Sequence, residues 1–212
     1  MGPEIIIAAS LVILLFSVII HEVAHGWVAL KFGDRTALNA GRLTLNPLPH
    51  IDPIGTILLP LLLLISGMPL FGCAKPVPVN PLNFRELRRG EMLVSLAGIG
   101  ANLAMAVISA ILYHLAIVLG GATILDEVLS RAVFLNLVLA VFNLLPIPPL
   151  DGSRALTTVL PYELARQYER LQQFGFLILI GILIFPPTRT VMSLILGLGV
   201  GSLMNLLGVT LK

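Results

Sequence analysis

Charge is what this chain has least of. Only 11% of its 212 residues are Asp, Glu, Lys or Arg, against about 25% in a soluble domain. Mean hydropathy is +1.00, and several apolar runs reach the roughly 18 to 20 residues that cross a hydrocarbon core. A soluble globular fold does not fit such a composition. The expected class is an all-α, polytopic membrane protein whose surroundings are the lipid bilayer. No run of Lys and Arg is dense enough to hold nucleic acid, so no nucleic-acid partner is expected. Cys73 is the sole cysteine. It has no intramolecular disulfide partner and reads as a small apolar residue. Fixed-period repeats, heptads and low-complexity linkers are also missing. The opening MGPE carries an acid and neither Lys nor Arg, and the run after it is longer than a signal-peptide core, so that segment is expected to be retained.

The apolar segments divide the chain. The first helix is expected from about Pro3 to Lys31, with Pro3 suited to a first turn and Gly33 to the stop. Arg42-Leu43-Thr44-Leu45-Asn46 alternates with period two, which predicts a short β-hairpin near 41–46. A brief apolar run at 54–71 is broken by Pro60, Gly67 and Pro69. The prolines at 76, 78 and 81 then exclude a regular helix. Further helices are expected over 92–119 and 128–144, with GGATILDE as a loop before the second. An amphipathic stretch covers 155–173, and two apolar segments, 174–185 and 190–211, are split by Pro186-Pro187. The whole, 1–212, reads as one intramembrane domain of about five spanning helices plus a re-entrant segment and the hairpin, with no soluble domain inserted or appended.

Against this apolar background SVIIHEVAHGWVAL stands apart, because ionisable groups at membrane depth are costly and mark function by default. His21 and His25 are four apart, which on a helix puts both imidazoles on one face at metal-binding spacing. Glu22 beside them is placed for a general base rather than a third ligand. A lone histidine in such a helix is ordinarily structural; two at this spacing with a glutamate between them are hard to explain that way. A catalytic zinc takes three protein ligands and keeps one open position, so a third ligand is expected elsewhere.

Asp34, Asp52, Asp126, Glu127 and Asp151 are the candidates for it. Asp151 stands out because it follows an apolar helix and the proline-broken run NLLPIPPLDG, and irregular backbone at membrane depth occurs where it lines a cavity or is buried in protein. The plainer reading of Asp151 is a helix N-cap; capping and ligation are compatible. Topology bears on the choice. If 54–71 crosses fully, Asp151 emerges on the side opposite His21 and His25. If 54–71 dips in and returns, all three share a side, and eleven of the thirteen Lys and Arg fall on it, leaving only Arg131 and Arg189 opposite. The positive-inside rule favours the second arrangement, with the N-terminus outside and the site nearer the cytoplasmic face.

Taken together, HEVAHGWVALKFGD, GRLTLNPLPHIDPIGTILLP, GCAKPVPVNP, SLAGIGANL and FNLLPIPPLDGSR resemble the site-2 protease family of intramembrane zinc metalloproteases. The match is to compact prokaryotic forms without PDZ or CBS domains, and the pieces run in order over nearly the whole chain. The resemblance implies one Zn2+ per chain bound by His21, His25 and Asp151, with Glu22 activating water. It implies a multi-pass protein of a prokaryotic cell membrane that cleaves transmembrane protein substrates. It also implies that Asn143 contacts the substrate carbonyl; tying down backbone beside the proline break is an equally good use of that amide. Ile99 stands where the family often has proline, while Gly98, Ala101 and Asn102 keep the small-residue pattern of close helix packing; packing in the core is the expected role of Asn102, with substrate contact as the alternative. His50 could approach the active site from its loop; His114 is expected to be structural. The extended run at 75–80 and the hairpin offer edges for pairing with an unwound substrate. Gly197 and Gly201 have GxxxG spacing, for which intramolecular packing is expected and a homo-oligomer is the alternative.

Two rivals use the same residues. A zinc or proton-coupled transporter would use them as a transit site, but has no need of Glu22, and no paired broken helices in two related halves are visible. An inactive zinc-binding membrane scaffold would keep the metal and lose the chemistry.

Overall fold

The computed structural model describes residues 3–52, 75–120 and 123–211. Regular structure among them is helical: α1 (Pro3–Lys31), the single turn α2 (Thr36–Asn39), α3 (Leu87–Val118), α4 (Thr123–Leu144), α5 (Asp151–Val159), α6 (Tyr162–Gln172), α7 (Gly175–Ile184) and α8 (Pro186–Leu206). Tight 3-10 turns lie at Leu48–His50 and Pro81–Asn83. Helices α1, α3 and α8 are long and apolar enough to cross a membrane. The chain is an all-α membrane protein.

Its helices carry polarity inward and bulk outward. On α1, Ile5, Ile7, Leu11, Val12 and Phe16 are exposed, whereas Ser17, His21, His25 and Ala29 are buried. Those four recur every fourth residue, so they form one stripe facing the other helices. Helix α3 lies against α1 on one side and α4 on the other, and α4 packs on α8. Ala106, Ala110 and Tyr113 of α3 meet Val133 and Leu137 of α4 and Val200 and Met204 of α8 in the main apolar cluster. Small side chains on α3 let the helix backbones approach, which is what drives association where lipid is as apolar as leucine.

Several expectations need correction. No strand forms at 41–46. Arg42 N–H donates to Ala37 O, Asn46 N–H to Thr44 Oγ1, and Leu48 N–H to Asn46 Oδ1. Gly41 takes a left-handed φ of 64°. Local side-chain bonds thus hold backbone groups that a hairpin would pair across strands, and the period-two alternation misled. Helix α4 starts at Thr123 rather than 128, so Asp126 and Glu127 are helical, with Glu127 paired to Arg131 at 3.0 Å. Helix α3 starts at Leu87 rather than 92. The stretch 155–173 is two helices, because Leu160 before Pro161 is held extended and Pro161 opens α6. Asp151 is the first residue of α5, whose cap is Leu150 without any side-chain bond, so the N-cap role is not filled by Asp151. Helix α7 has 10 residues, about 15 Å or half a hydrocarbon core, shorter than one full crossing. A Cβ on Gly199 would lie 3.0 Å from Val141, whereas a Cβ on Gly197 or Gly201 would meet nothing within 4 Å, so the GxxxG pair marks no close helix approach among the described residues. The expected re-entrant segment, 54–71, lies outside the described residues.

Between α1 and α3 the chain is tied by one carboxylate. Asp34 is fully buried. It accepts from Thr36 N–H and Oγ1–H, from Asn80 N–H at 2.7 Å and from Asn83 Nδ2–H at 2.7 Å. Arg85 N–H also reaches Phe32 O at 3.0 Å. The end of α1 and the start of α3 are therefore sewn together side by side. Burial works to raise the Asp34 carboxyl, but the bonds from Thr36, Asn80 and Asn83 outweigh it and hold it below its ordinary value.

A group lowered in the folded state stabilises fully above its unfolded pKa, about 3.9, and that contribution is lost as pH falls through the lower folded value. Asp34→Ala should cost about 2–3 kcal/mol at neutral pH in unfolding experiments in detergent micelles. It should also flatten the loss of stability below about pH 4. An unchanged acid limb would contradict this role.

Candidate metal centre

The site is assembled from α1, α3 and the start of α5. His21 and His25 stand on the inward stripe of α1, with Nε2 atoms 3.0 Å apart and rings edge to face. Asp151 Oδ2 lies 3.0 Å from His21 Nε2 and 3.2 Å from His25 Nε2. These three are the only group of His, Cys, Asp and Glu among the described residues that closes to ligand spacing. Of the other candidates, Asp34 is spent on the loop and Glu127 on Arg131.

Hydrogen bonding on the far side of each ring decides what the near side offers. His25 Nδ1 is 2.6 Å from Val94 O, and His21 Nδ1 is 2.6 Å from Asn102 Oδ1. Both oxygens only accept, so both Nδ1 atoms carry hydrogen, and in the neutral rings both Nε2 atoms are bare lone pairs. Asp151 Oδ2 is buried and receives no hydrogen bond of acceptable geometry. Three electron-rich atoms therefore face one another at 3.0–3.2 Å, an arrangement that demands positive charge between them. Two imidazoles and a carboxylate form a donor set of catalytic zinc sites. Zinc bonds of 2.0–2.1 Å in a tetrahedron separate ligand atoms by about 3.3 Å, close to the spacing found. The residues fit zinc, with a fourth corner left for a non-protein ligand.

Two glycines make the geometry attainable. A Cβ on Gly98 of α3 would lie 2.5 Å from His21 Nε2 and 2.6 Å from His25 Nε2, so only hydrogen fits beneath the rings. A Cβ on Gly152 would run into the Leu144 carbonyl, so glycine after Asp151 lets α5 turn back against the end of α4. Both occur in quoted motifs, yet neither role is visible without the fold. Asn102 is likewise more than packing, since it holds a ring nitrogen of His21.

Glu22 points to a different wall of the site. Its Oε2 accepts from Val77 N–H at 2.8 Å. The segment 75–80 has no regular secondary structure and is fixed along its length: Lys75 N–H donates to His50 O, Arg42 holds the Lys75 and Pro76 carbonyls, and Asn80 N–H bonds Asp34. Side chains thus already occupy much of the edge expected to pair with substrate. Val77 and Leu43 press on Gly26, whose missing Cβ would meet both within 3 Å. His50 is buried and donates from Nε2 to Thr44 O, holding this loop. Asn143, in the last turn of α4, donates from Nδ2 to Leu139 O at 2.9 Å, which occupies one of its two amide hydrogens. His114 donates from Nε2 to Leu207 O at 2.8 Å, away from the His21–His25–Asp151 group.

The chain is also similar to known proteins whose names include zinc. Residues 117–185 match Peptidase family M50. A Bacillus subtilis protein named "Putative zinc metalloprotease YwhC" is 40% identical over 199 residues, which is 91% of this chain and 88% of that protein. Proteins named "Putative zinc metalloprotease Rip2" from Mycolicibacterium smegmatis and Mycobacterium tuberculosis are 35% and 37% identical. They align with 81% and 82% of this chain, which covers 65% of each of them. No solved structure matches the chain significantly.

Gly98→Ala should weaken zinc binding by at least about tenfold, whereas Gly100→Ala, where a Cβ meets open space, should not. Chelator competition on the purified protein reads this directly, and equal affinities would contradict the packing argument.

Proposed function

The chain belongs to peptidase family M50, and from that premise we propose that this zinc metalloprotease cuts peptide bonds within the membrane, in transmembrane protein substrates. The observation that carries the proposal is the buried triangle of His21, His25 and Asp151, with Glu22 one residue along, set between helices long and apolar enough to cross a bilayer. Zinc held there supplies Lewis acidity toward water and a peptide carbonyl. The remaining steps fall to side chains. Glu22 takes a proton from the attacking water and delivers it to the amide nitrogen as the C–N bond breaks, leaving a carboxylic acid and an amine. Val77 N–H fixes one oxygen of Glu22, so the other serves as base. The second amide hydrogen of Asn143 is our candidate donor to the carbonyl oxygen as it gains charge.

The finer architecture is part of this reading: one intramembrane domain, about five crossings, and a return of the chain to the same side between α1 and α3. Support comes from the Arg85–Phe32 backbone bond, which joins those two helix ends on one side. Trp27 is exposed, and the Lys31 ammonium sits 4.6 Å over its ring; such pairs suit a membrane interface. With that return of the chain, eleven of the thirteen Lys and Arg share one side, which supports a site nearer the cytoplasmic face of a prokaryotic membrane. Among the described residues a Cβ at Gly197 or Gly201 would meet open space, which leaves room for a helix of a second copy.

Glu22→Gln separates this reading from a transporter or an inactive scaffold. Both wild type and variant should hold one zinc per chain, while cleavage of a single-span substrate should fall at least about 100-fold in the variant. Equal cleavage by the two would overturn the assignment of Glu22, and zinc crossing a vesicle membrane without proteolysis would favour the transporter.

A further inference from the structure

We propose that Asn102 and Asn136 are positioning residues, forming a relay of fixed polarity that starts on α4, passes through α3 and sets the tautomer of the zinc ligand His21 on α1. The proposal rests on the zinc reading of the site. Both amides are almost completely inaccessible, at 0% and 1% exposure. Amides so deeply buried must be hydrogen-bonded, and helix-to-helix glue is the plain explanation for a pair of them. The polarity of the chain argues for more.

The orientation of each amide follows from groups whose character is not in doubt. Asn136 has one end 2.9 Å from Ala132 O. A backbone carbonyl only accepts, so that end of Asn136 is its NH2. Its oxygen then faces Asn102, and it lies 3.0 Å from Asn102 Nδ2. The NH2 of Asn102 also lies 3.4 Å from Ser17 O, a second carbonyl. Flipping Asn102 would therefore set its oxygen against two acceptors. Its Oδ1 is left facing His21 Nδ1 at 2.6 Å. That bond can form only if Nδ1 carries the hydrogen, which leaves Nε2 bare toward Asp151 and His25.

The two histidines are thus set by different means. His25 is fixed by the Val94 backbone carbonyl, which no side-chain change removes. His21 depends on two side chains that touch neither substrate nor metal. Outer groups of this kind orient a ligating imidazole and raise its basicity, and losing one typically costs 10–100-fold in metal affinity.

The test uses the full-length protein in micelles with 15N-labelled histidine, in zinc-free and zinc-loaded forms. Wild-type zinc-free protein should show neutral His21 as the Nδ1–H tautomer alone. Asn136→Leu should give a mixture of tautomers and about tenfold weaker zinc binding by chelator competition. Asn136→Asp, carried as the neutral acid in this buried place, still donates to Ala132 O and accepts from Asn102, and should restore both readings. If Asn136→Leu leaves tautomer and affinity unchanged, or if the Leu and Asp variants weaken zinc equally, the relay is overturned and the amides are glue. Should the Leu variant not fold, wild type decides alone: neutral His21 as the Nε2–H form contradicts the relay. None of these readings needs proteolysis, so they stand apart from the test of Glu22.

Discussion

Two bare imidazole nitrogens and a carboxylate oxygen, mutually 3.0–3.2 Å apart in a buried place, are unstable without a cation between them. The rest of the structure can be understood as what brings these atoms together and keeps them so. Gly98 clears the floor under the rings, Gly152 lets α5 fold back, and the Val94 carbonyl and Asn102 turn the rings to face inward. Polar groups at this depth are costly unless each has a partner, so the site is specified by a closed network and not by three ligands alone.

A second constraint comes from the membrane. Where lipid is as apolar as the side chains, helices associate through close packing and hydrogen bonds. On α3, Gly98 and Asn102 belong both to the close contact with α1 and to the site. Stability and chemistry are built from one set of contacts. Outside the helices, Asp34 gathers Thr36, Asn80 and Asn83 and so holds the 75–80 segment where Val77 can meet Glu22.

How much of this could be read from sequence depended on the range of each interaction. His21 and His25 were legible because their spacing is local to one helix. Asp151 was legible because prolines and glycine around it mark backbone that only a buried or cavity-lining segment tolerates. Asn102 was read as packing and Asn136 was not singled out, since their partners lie 81 and 34 residues away. The hairpin at 41–46 failed for a related reason. Its alternation was real, but Thr44 and Asn46 bond nearby backbone groups, and Arg42 reaches across to the 75–80 segment instead of leaving an open ladder. Asp126 and Glu127 read as loop because their charge interrupts an apolar pattern, although a helix start accommodates acids well.

The central claim is that His21, His25 and Asp151 together hold one zinc ion. X-ray absorption at the zinc edge of the purified protein, compared with Asp151→Ala, tests it most directly. The account predicts a low-coordinate first shell of nitrogen and oxygen at about 2.0–2.1 Å with outer-shell scattering from two imidazoles, and loss of one light-atom ligand in the variant. Sulfur in the first shell, one imidazole or none, or a spectrum unchanged by Asp151→Ala would contradict it.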